Sequence, residues 1–373
     1  MDADKKNVAL LGTTSFFNDF SSESVFSLLA LYASSPSLVG LLGGIVNGLG
    51  SIFKLLFGYM SDKINQRKPM VFAGYLTSAL SKFSLPFVGQ SGMAVPLITD
   101  RIGKGIRTSP RDAILAGAKN KGWAFGWHRA LDTLGAVGGS VFAYLLINNG
   151  GDYGRAMLIA AAVGFLSLIP IIFVNEPKKA RAWKKSEGGF WKSISHSPGK
   201  LKRFLLPVGL FSTALVSPMI FIRSVSDFLG VASLLIYTCF NIIYAVSARR
   251  LGALSDKVGR KRVLMGSMLT AALTFLLMSL GGRWMVAGFM TYGLAVGAFH
   301  STAVATASEF AGGSATGIGM YHMVTGLAVF GGSSLIGTLL QNYGNTAYLL
   351  CTVVSLAAIG SLAGVAMKSP SAS

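Results

Sequence analysis

Twelve stretches of the chain are apolar over the length that an α-helix needs to cross a hydrocarbon core, about 20 residues. They lie near 7–33, 38–61, 69–89, 93–117, 122–148, 153–174, 204–226, 230–254, 263–281, 284–308, 314–340 and 345–367, and most links between them are short. Such links hold no soluble domain, so nearly the whole chain is predicted to be embedded. A membrane β-barrel would show alternating segments of about ten residues, unlike these continuous runs. The pattern predicts an all-α membrane protein with twelve transmembrane helices.

Composition agrees. Of 373 residues, 52% are hydrophobic, another 46 are glycine and only 13% are charged, which excludes a soluble two-domain enzyme. The net charge of +19 would suggest nucleic acid in a soluble protein. Here the basic residues fall in alternate links. Lys5, Lys6, Lys63, Arg67, Lys68, Lys119 and Lys121, the run from Lys178 to Arg203, the cluster from Lys257 to Arg262, and Lys368 gather on one side; Arg155 and Arg283 lie on the other. The positive-inside rule then puts both termini and the central link in the cytoplasm of a multi-pass protein of the cell inner membrane. The charge becomes an orientation signal, and a nucleic-acid partner is not expected. The first segment carries Asp19 and Glu23 and lacks a small-residue cleavage site, so it reads as a retained helix. Cys239 and Cys351 fall inside apolar segments and suggest no disulfide or metal pattern.

A polar, basic stretch at 176–203, interrupted by Pro177, Gly188, Gly189 and Pro198, divides the segments six and six. The predicted organisation is a six-helix bundle at 1–175, a cytoplasmic linker at 176–203 and a second bundle at 204–373. With Trp183 and Trp191, the linker reads either as an amphipathic helix on the inner leaflet or as a plain solvated connection. Landmarks recur between the halves. Gly58-Tyr-Met-Ser-Asp62-Lys63 matches Gly252-Ala-Leu-Ser-Asp256-Lys257, Asn47 matches Asn241 and His128 matches His322, all at an offset of 194; Gly138-Gly139 matches Gly331-Gly332 at 193. A parallel repeat with a substrate site between its halves is the architecture of a rocking transporter.

On these residues the chain resembles the major facilitator superfamily. The superfamily signature Gly-x-x-x-Asp-Arg/Lys-x-Gly-Arg/Lys-Arg/Lys has two counterparts, Gly58 to Lys68 and Gly252 to Arg262, with Asn65 and Gln66 departing from it in the first. The resemblance implies two pseudo-symmetric six-helix bundles and a cytoplasmic gate built from Gly58, Asp62, Lys63, Arg67, Arg111, Asp112, Gly252, Asp256, Lys257 and Arg260. The fourth segment, Asp100-Arg-Ile-Gly-Lys-Gly-Ile-Arg-Thr-Ser-Pro-Arg-Asp112, is similar to the antiporter pattern Arg-x-x-Gln-Gly-x-Gly, with Lys104 and Arg107 placing charge where the pattern is neutral. With Phe125-Gly-Trp-His128-Arg129-Ala-Leu-Asp132, it resembles a branch of prokaryotic permeases. In the fifth segment Gly126, Gly135 and Gly139 resemble an antiporter glycine pattern that ends in Gly-Pro, with Ser140 in place of the proline, and tight helix packing also explains these glycines.

Ionisable residues inside a bilayer are costly and are functional candidates by default. The first half holds Asp19, Glu23, Asp100, Asp112 and Asp132 against Lys54, Lys82, Arg101, Lys104, Arg107, Arg111 and Arg129, a surplus of positive charge. Asp19 and Glu23 share one helix face. They and the His128/Asp132 pair are candidates for proton coupling; neutralisation of Lys82 or Arg101, and a structural His–Asp hydrogen bond, are the alternatives. The substrate candidates are Lys82, Arg101, Lys104, Arg107, Asn47, Asn241, His300 and His322. Glu309 reads as gate or surface.

The sequence holds no nucleotide-binding phosphate loop, metal-spaced cluster or hydrolase nucleophile motif, so neither an enzyme nor a cofactor is expected. The reading is a monomeric secondary active transporter working by alternating access on a small anionic solute (a carboxylate, phosphate ester or anionic metal chelate), driven by a proton or cation gradient. The alternatives are proton-driven efflux of drugs or amphipathic metabolites, and a non-transporting membrane sensor or scaffold.

Overall fold

A computed structural model describes residues 3–51, 53, 57, 66–118, 121–175, 198–312 and 315–367. Every regular element among them is helical: α1 (Ala3–Tyr32), α2 (Pro36–Gly44), α3 (Arg67–Ser84), α4 (Ala94–Leu115), α5 (Lys121–Asn148), α6 (Tyr153–Val163), α7 (Gly199–Ala214), α8 (Pro218–Leu229), α9 (Ser233–Val258), α10 (Arg260–Leu280), α11 (Arg283–Phe310), α12 (Ala315–Tyr343) and α13 (Tyr348–Ala363). A π-helical turn, Ile45–Leu49, follows α2, and α6 continues through a 3-10 turn into Leu168–Ile172. Five stretches among the described residues are long and apolar enough to cross a membrane: Trp123–Asn148, Tyr153–Ile172, Gly199–Val258, Arg260–Leu280 and Gly317–Ala363.

The chain forms two compact units, Met1–Ala33 with Leu49–Ser186, and Ser34–Gly48 with Glu187–Ser373. The segment that carries α2 therefore belongs to the second unit. There Gly40 sits against the backbone of Gly337, and Gly44 and Gly48 against Phe330, so α2 lies on α12 where a side chain would collide.

The expected helix at 204–226 is broken. Pro218 has no N–H to continue the ladder and disfavours a helical residue before it; Ser217 is accordingly extended, with φ −57 and ψ 137. Side chains satisfy the backbone freed by the break. The Tyr292 hydroxyl donates to the Val216 carbonyl (2.5 Å), the Ser217 N–H donates to Ser333 Oγ (2.9 Å), and the Met219 N–H donates to Ser217 Oγ (3.3 Å), which in turn donates to Asn47 Oδ1 (2.8 Å). The expected helix at 230–254 instead runs to Val258 and stops at Gly259, whose φ of +101 favours glycine.

The sequence repeat returns as a repeat of contacts. In the first unit Gly139 lies against the Phe20 carbonyl, and in the second Gly332 lies against the Thr213 carbonyl. Lys68 Nζ donates to the Ile172 carbonyl (2.7 Å), and Lys261 Nζ donates to the carbonyls of Ala363 (2.6 Å) and Val365 (3.0 Å). A cation at the end of a helix neutralises its unpaired carbonyls, and both units do this with the basic residues of the repeated signature. Cys351 is buried and Cys239 exposed.

Candidate functional site

In the first unit, α1, α3, α4 and α5 bring the ionisable residues together. Lys82 is fully buried on α3; its ammonium donates to the Asn18 carbonyl (3.3 Å), Asn18 Oδ1 (3.3 Å) and Ser22 Oγ (3.0 Å). Arg101 Nε donates to Asp100 Oδ2 (2.9 Å), both residues being buried, and the guanidinium stands over the Phe26 ring at 5.0 Å. Arg107, also buried, donates to the Ser78 hydroxyl and stands over Tyr75 at 4.6 Å. A cation in an apolar interior is tolerable only with such partners. Lys104 differs: it is partly exposed, and its ammonium has no hydrogen bond or ion pair among the described residues.

The acids form a second group. Asn18 Nδ2 donates to Asp19 Oδ1 (2.8 Å), and Ser15 Oγ donates to Asp132 Oδ1 (2.6 Å). Arg129 Nη1 stands 3.4 Å from Asp132 Oδ2. The Asp19 and Asp132 carboxyl groups lie within electrostatic reach of each other across α1 and α5. Glu23 is partly buried one turn along α1 and engaged with its surroundings. His128 is buried, and its Nε2 has no partner among the described residues.

The second unit is aromatic where the first is ionic. Phe221, Tyr292, Phe240 and Tyr244 form a ladder: Phe221–Tyr292 at 4.3 Å, Phe240–Tyr292 at 5.8 Å and Phe240–Tyr244 at 6.3 Å between ring centroids. His300 meets Tyr244 edge-on at 6.2 Å, and His322 meets Tyr321 at 5.1 Å. Asn241, one residue from Phe240, has a buried Nδ2 with no partner among the described residues. Asn47, expected among first-half substrate residues, instead groups with this unit and accepts from Ser217.

The sequence profile of the Major Facilitator Superfamily matches residues 8–237 and 210–372. The chain belongs to the major facilitator superfamily. An uncharacterized MFS-type transporter of Methanocaldococcus jannaschii is 34% identical over 376 residues, spanning 94% of this chain and 92% of that one. Superfamily transporters of known structure share the fold. A point mutant of the nucleoside transporter NupG superposes with a TM-score of 0.83 at 15% identity, covering 97% of this chain and 100% of that one. A point mutant of the peptide transporter POT, in complex with alafosfalin, gives 0.72 at 16%, covering 95% and 94%. The fold is that of a multi-pass membrane transporter, a class generally without enzyme activity.

Of the superfamily signature, Gly58, Asp62 and Lys63 lie outside the described residues, as do Lys54 and the linker at 176–197. Arg67 Nη1 reaches the Ala113 carbonyl at 3.4 Å, and Arg111 pairs with its neighbour Asp112 at 2.8 Å. The second copy is described in full. Gly252 abuts the Ser301 side chain, Lys257 is exposed, and Arg260 bridges Asp256 (3.3 Å) and Glu309 (2.6 Å). Glu309 thus joins α11 to the signature. Its position near a helix end was the only sequence signal for that role.

Proposed function

We propose that this superfamily member moves a small anionic solute, such as a carboxylate, phosphate ester or anionic metal chelate, across the cytoplasmic membrane by alternating access coupled to protons. The proposal includes twelve spans with both termini and the central link on the cytoplasmic side. Lys104 carries the anion reading. Arg101 and Arg107 are hydrogen-bonded to protein groups, whereas the Lys104 ammonium stands partly exposed beside them, within electrostatic reach of Asp19 but with no hydrogen bond or ion pair among the described residues. A cation with no hydrogen-bonded counter-ion in a poorly solvated site attracts an anion. The nearness of Asp19 and Asp132 supports coupling, because two carboxyl groups close together disfavour the doubly charged state and so can hold and release a proton.

Purified protein in liposomes, given radiolabelled anionic, neutral and cationic solutes under an imposed pH gradient, tests this reading. Uptake of an anion is expected, with Lys104→Gln reducing its initial rate by about tenfold or more, the loss of one charge-assisted contact. Transport of neutral or cationic compounds alone, unaffected by Lys104→Gln, would overturn the anion reading in favour of efflux of drugs or amphipathic metabolites. No flux under any gradient would point to a sensor or scaffold.

A further inference from the structure

The aromatic ladder of the second unit is closed at one end and open at the other. Phe221 and Tyr292 are buried and wedged against Phe275, Phe289 and Tyr348. Through Phe240 the stack reaches Tyr244, which is partly exposed, and ends at His300, which is exposed. This exposure is not towards lipid. On α9 the exposed Leu235, Ile242 and Val246 occupy one face, and Phe240, Asn241 and Tyr244 project from the opposite one. On α11, His300 likewise points away from the exposed Trp284 and Leu294. In the proposed twelve-span arrangement, an imidazole well inside the 28-residue α11, opposite its apolar face, belongs to a wet surface.

Polar groups around this open end are unspent. Asn241 Nδ2 has no partner among the described residues, and neither do the hydroxyls of Tyr244 and Tyr321, which lie within electrostatic reach of each other. Aromatic faces beside unpaired donors recognise flat rings bearing acceptor atoms, by stacking and edge-on contact together with hydrogen bonds.

We propose that the open end of this ladder, Tyr244 with His300, is a subsite for a planar aromatic or heteroaromatic ring on the transported solute, and that Asn241 and Tyr321 bond polar atoms on that ring. The subsite deepens the anion reading above: the solute becomes a ring-bearing anion.

The test uses matched probes that differ only in aromaticity, benzoate against cyclohexanecarboxylate and orotate against dihydroorotate, with binding to purified full-length protein read by isothermal titration. In at least one pair the aromatic member is expected to bind about threefold to tenfold more tightly, the range of a single stacking contact. Tyr244→Leu and His300→Ala are each expected to bring that ratio towards one, whereas Tyr244→Phe keeps it. Equal binding within both pairs, no binding of either aromatic probe, or a ratio that survives Tyr244→Leu would overturn the subsite. Benzamide separates this outcome from failure of the anion reading. If benzamide binds as well as benzoate while the ring preference persists, the ring subsite stands and the anion reading falls.

Discussion

A lysine with no measurable exposure and three neutral oxygen partners is held by its surroundings rather than displayed to a solute. Lys82→Met removes those hydrogen bonds, strands Asn18 Oδ1 and takes a positive charge from the vicinity of the buried Asp100. It is expected to cost about 2–4 kcal/mol, seen as a lower Tm in detergent. An unchanged Tm, with binding of the anion lost, would instead make Lys82 a ligand. Asp132 makes the contrasting case. Asp132→Asn is expected to abolish pH-driven accumulation while solute exchange between equal concentrations on both sides continues, since exchange needs no net proton movement; loss of both would make Asp132 a structural acid. The sequence showed that both residues are ionisable at membrane depth. It could not show the partners, because Asp19 approaches Asp132 across two helices 113 residues apart in sequence, and no spacing along one helix encodes such an approach.

Among elements, the packing of α1 on α5 turns on glycines whose roles differ. A Cβ at Gly139 would strike the Phe20 carbonyl, whereas one at Gly126 meets nothing within 4 Å. Gly139→Val is expected to destabilise by about 2 kcal/mol or more, through forced backbone shifts, and to lower the yield of monodisperse protein on size exclusion. Gly126→Ala should leave Tm unchanged or raise it slightly, because alanine favours the helix by up to about 1 kcal/mol. If both variants behave alike, the distinction fails. The glycine pattern was legible in sequence; which members touch a neighbour was not, since that depends on the rotation of each helix. The break between α7 and α8 was readable in principle from Ser217-Pro218. Continuous hydropathy across 204–226 hid it, because hydropathy measures transfer to lipid and not the continuity of a hydrogen-bond ladder.

At the scale of the whole molecule, one architecture carries two chemistries. The caps by Lys68 and Lys261 and the carbonyl contacts of Gly139 and Gly332 are the same device made twice. At the same offset the buried Asn18 and Lys82 give way to the buried Phe211 and Phe275. The repeat was legible because backbone packing and helix ends need particular residue types at fixed places; the divergence between cores was legible as a surplus of charge in one half. Arg260 with Asp256 and Glu309 gives a test at this scale. The two carboxylates are exposed and Arg260 partly so, and Glu309→Gln should therefore change stability by less than about 1 kcal/mol. If the cluster latches one conformation, the variant will change the rate of uptake at unchanged Tm; an unaltered rate would make it surface decoration. All of these variants must first be shown to fold, and one thiol supplies that control. Maleimide should spare the sulfur sealed at position 351 in native protein and modify it once the protein is denatured, so mass spectrometry of the adducts reports whether it has stayed sealed.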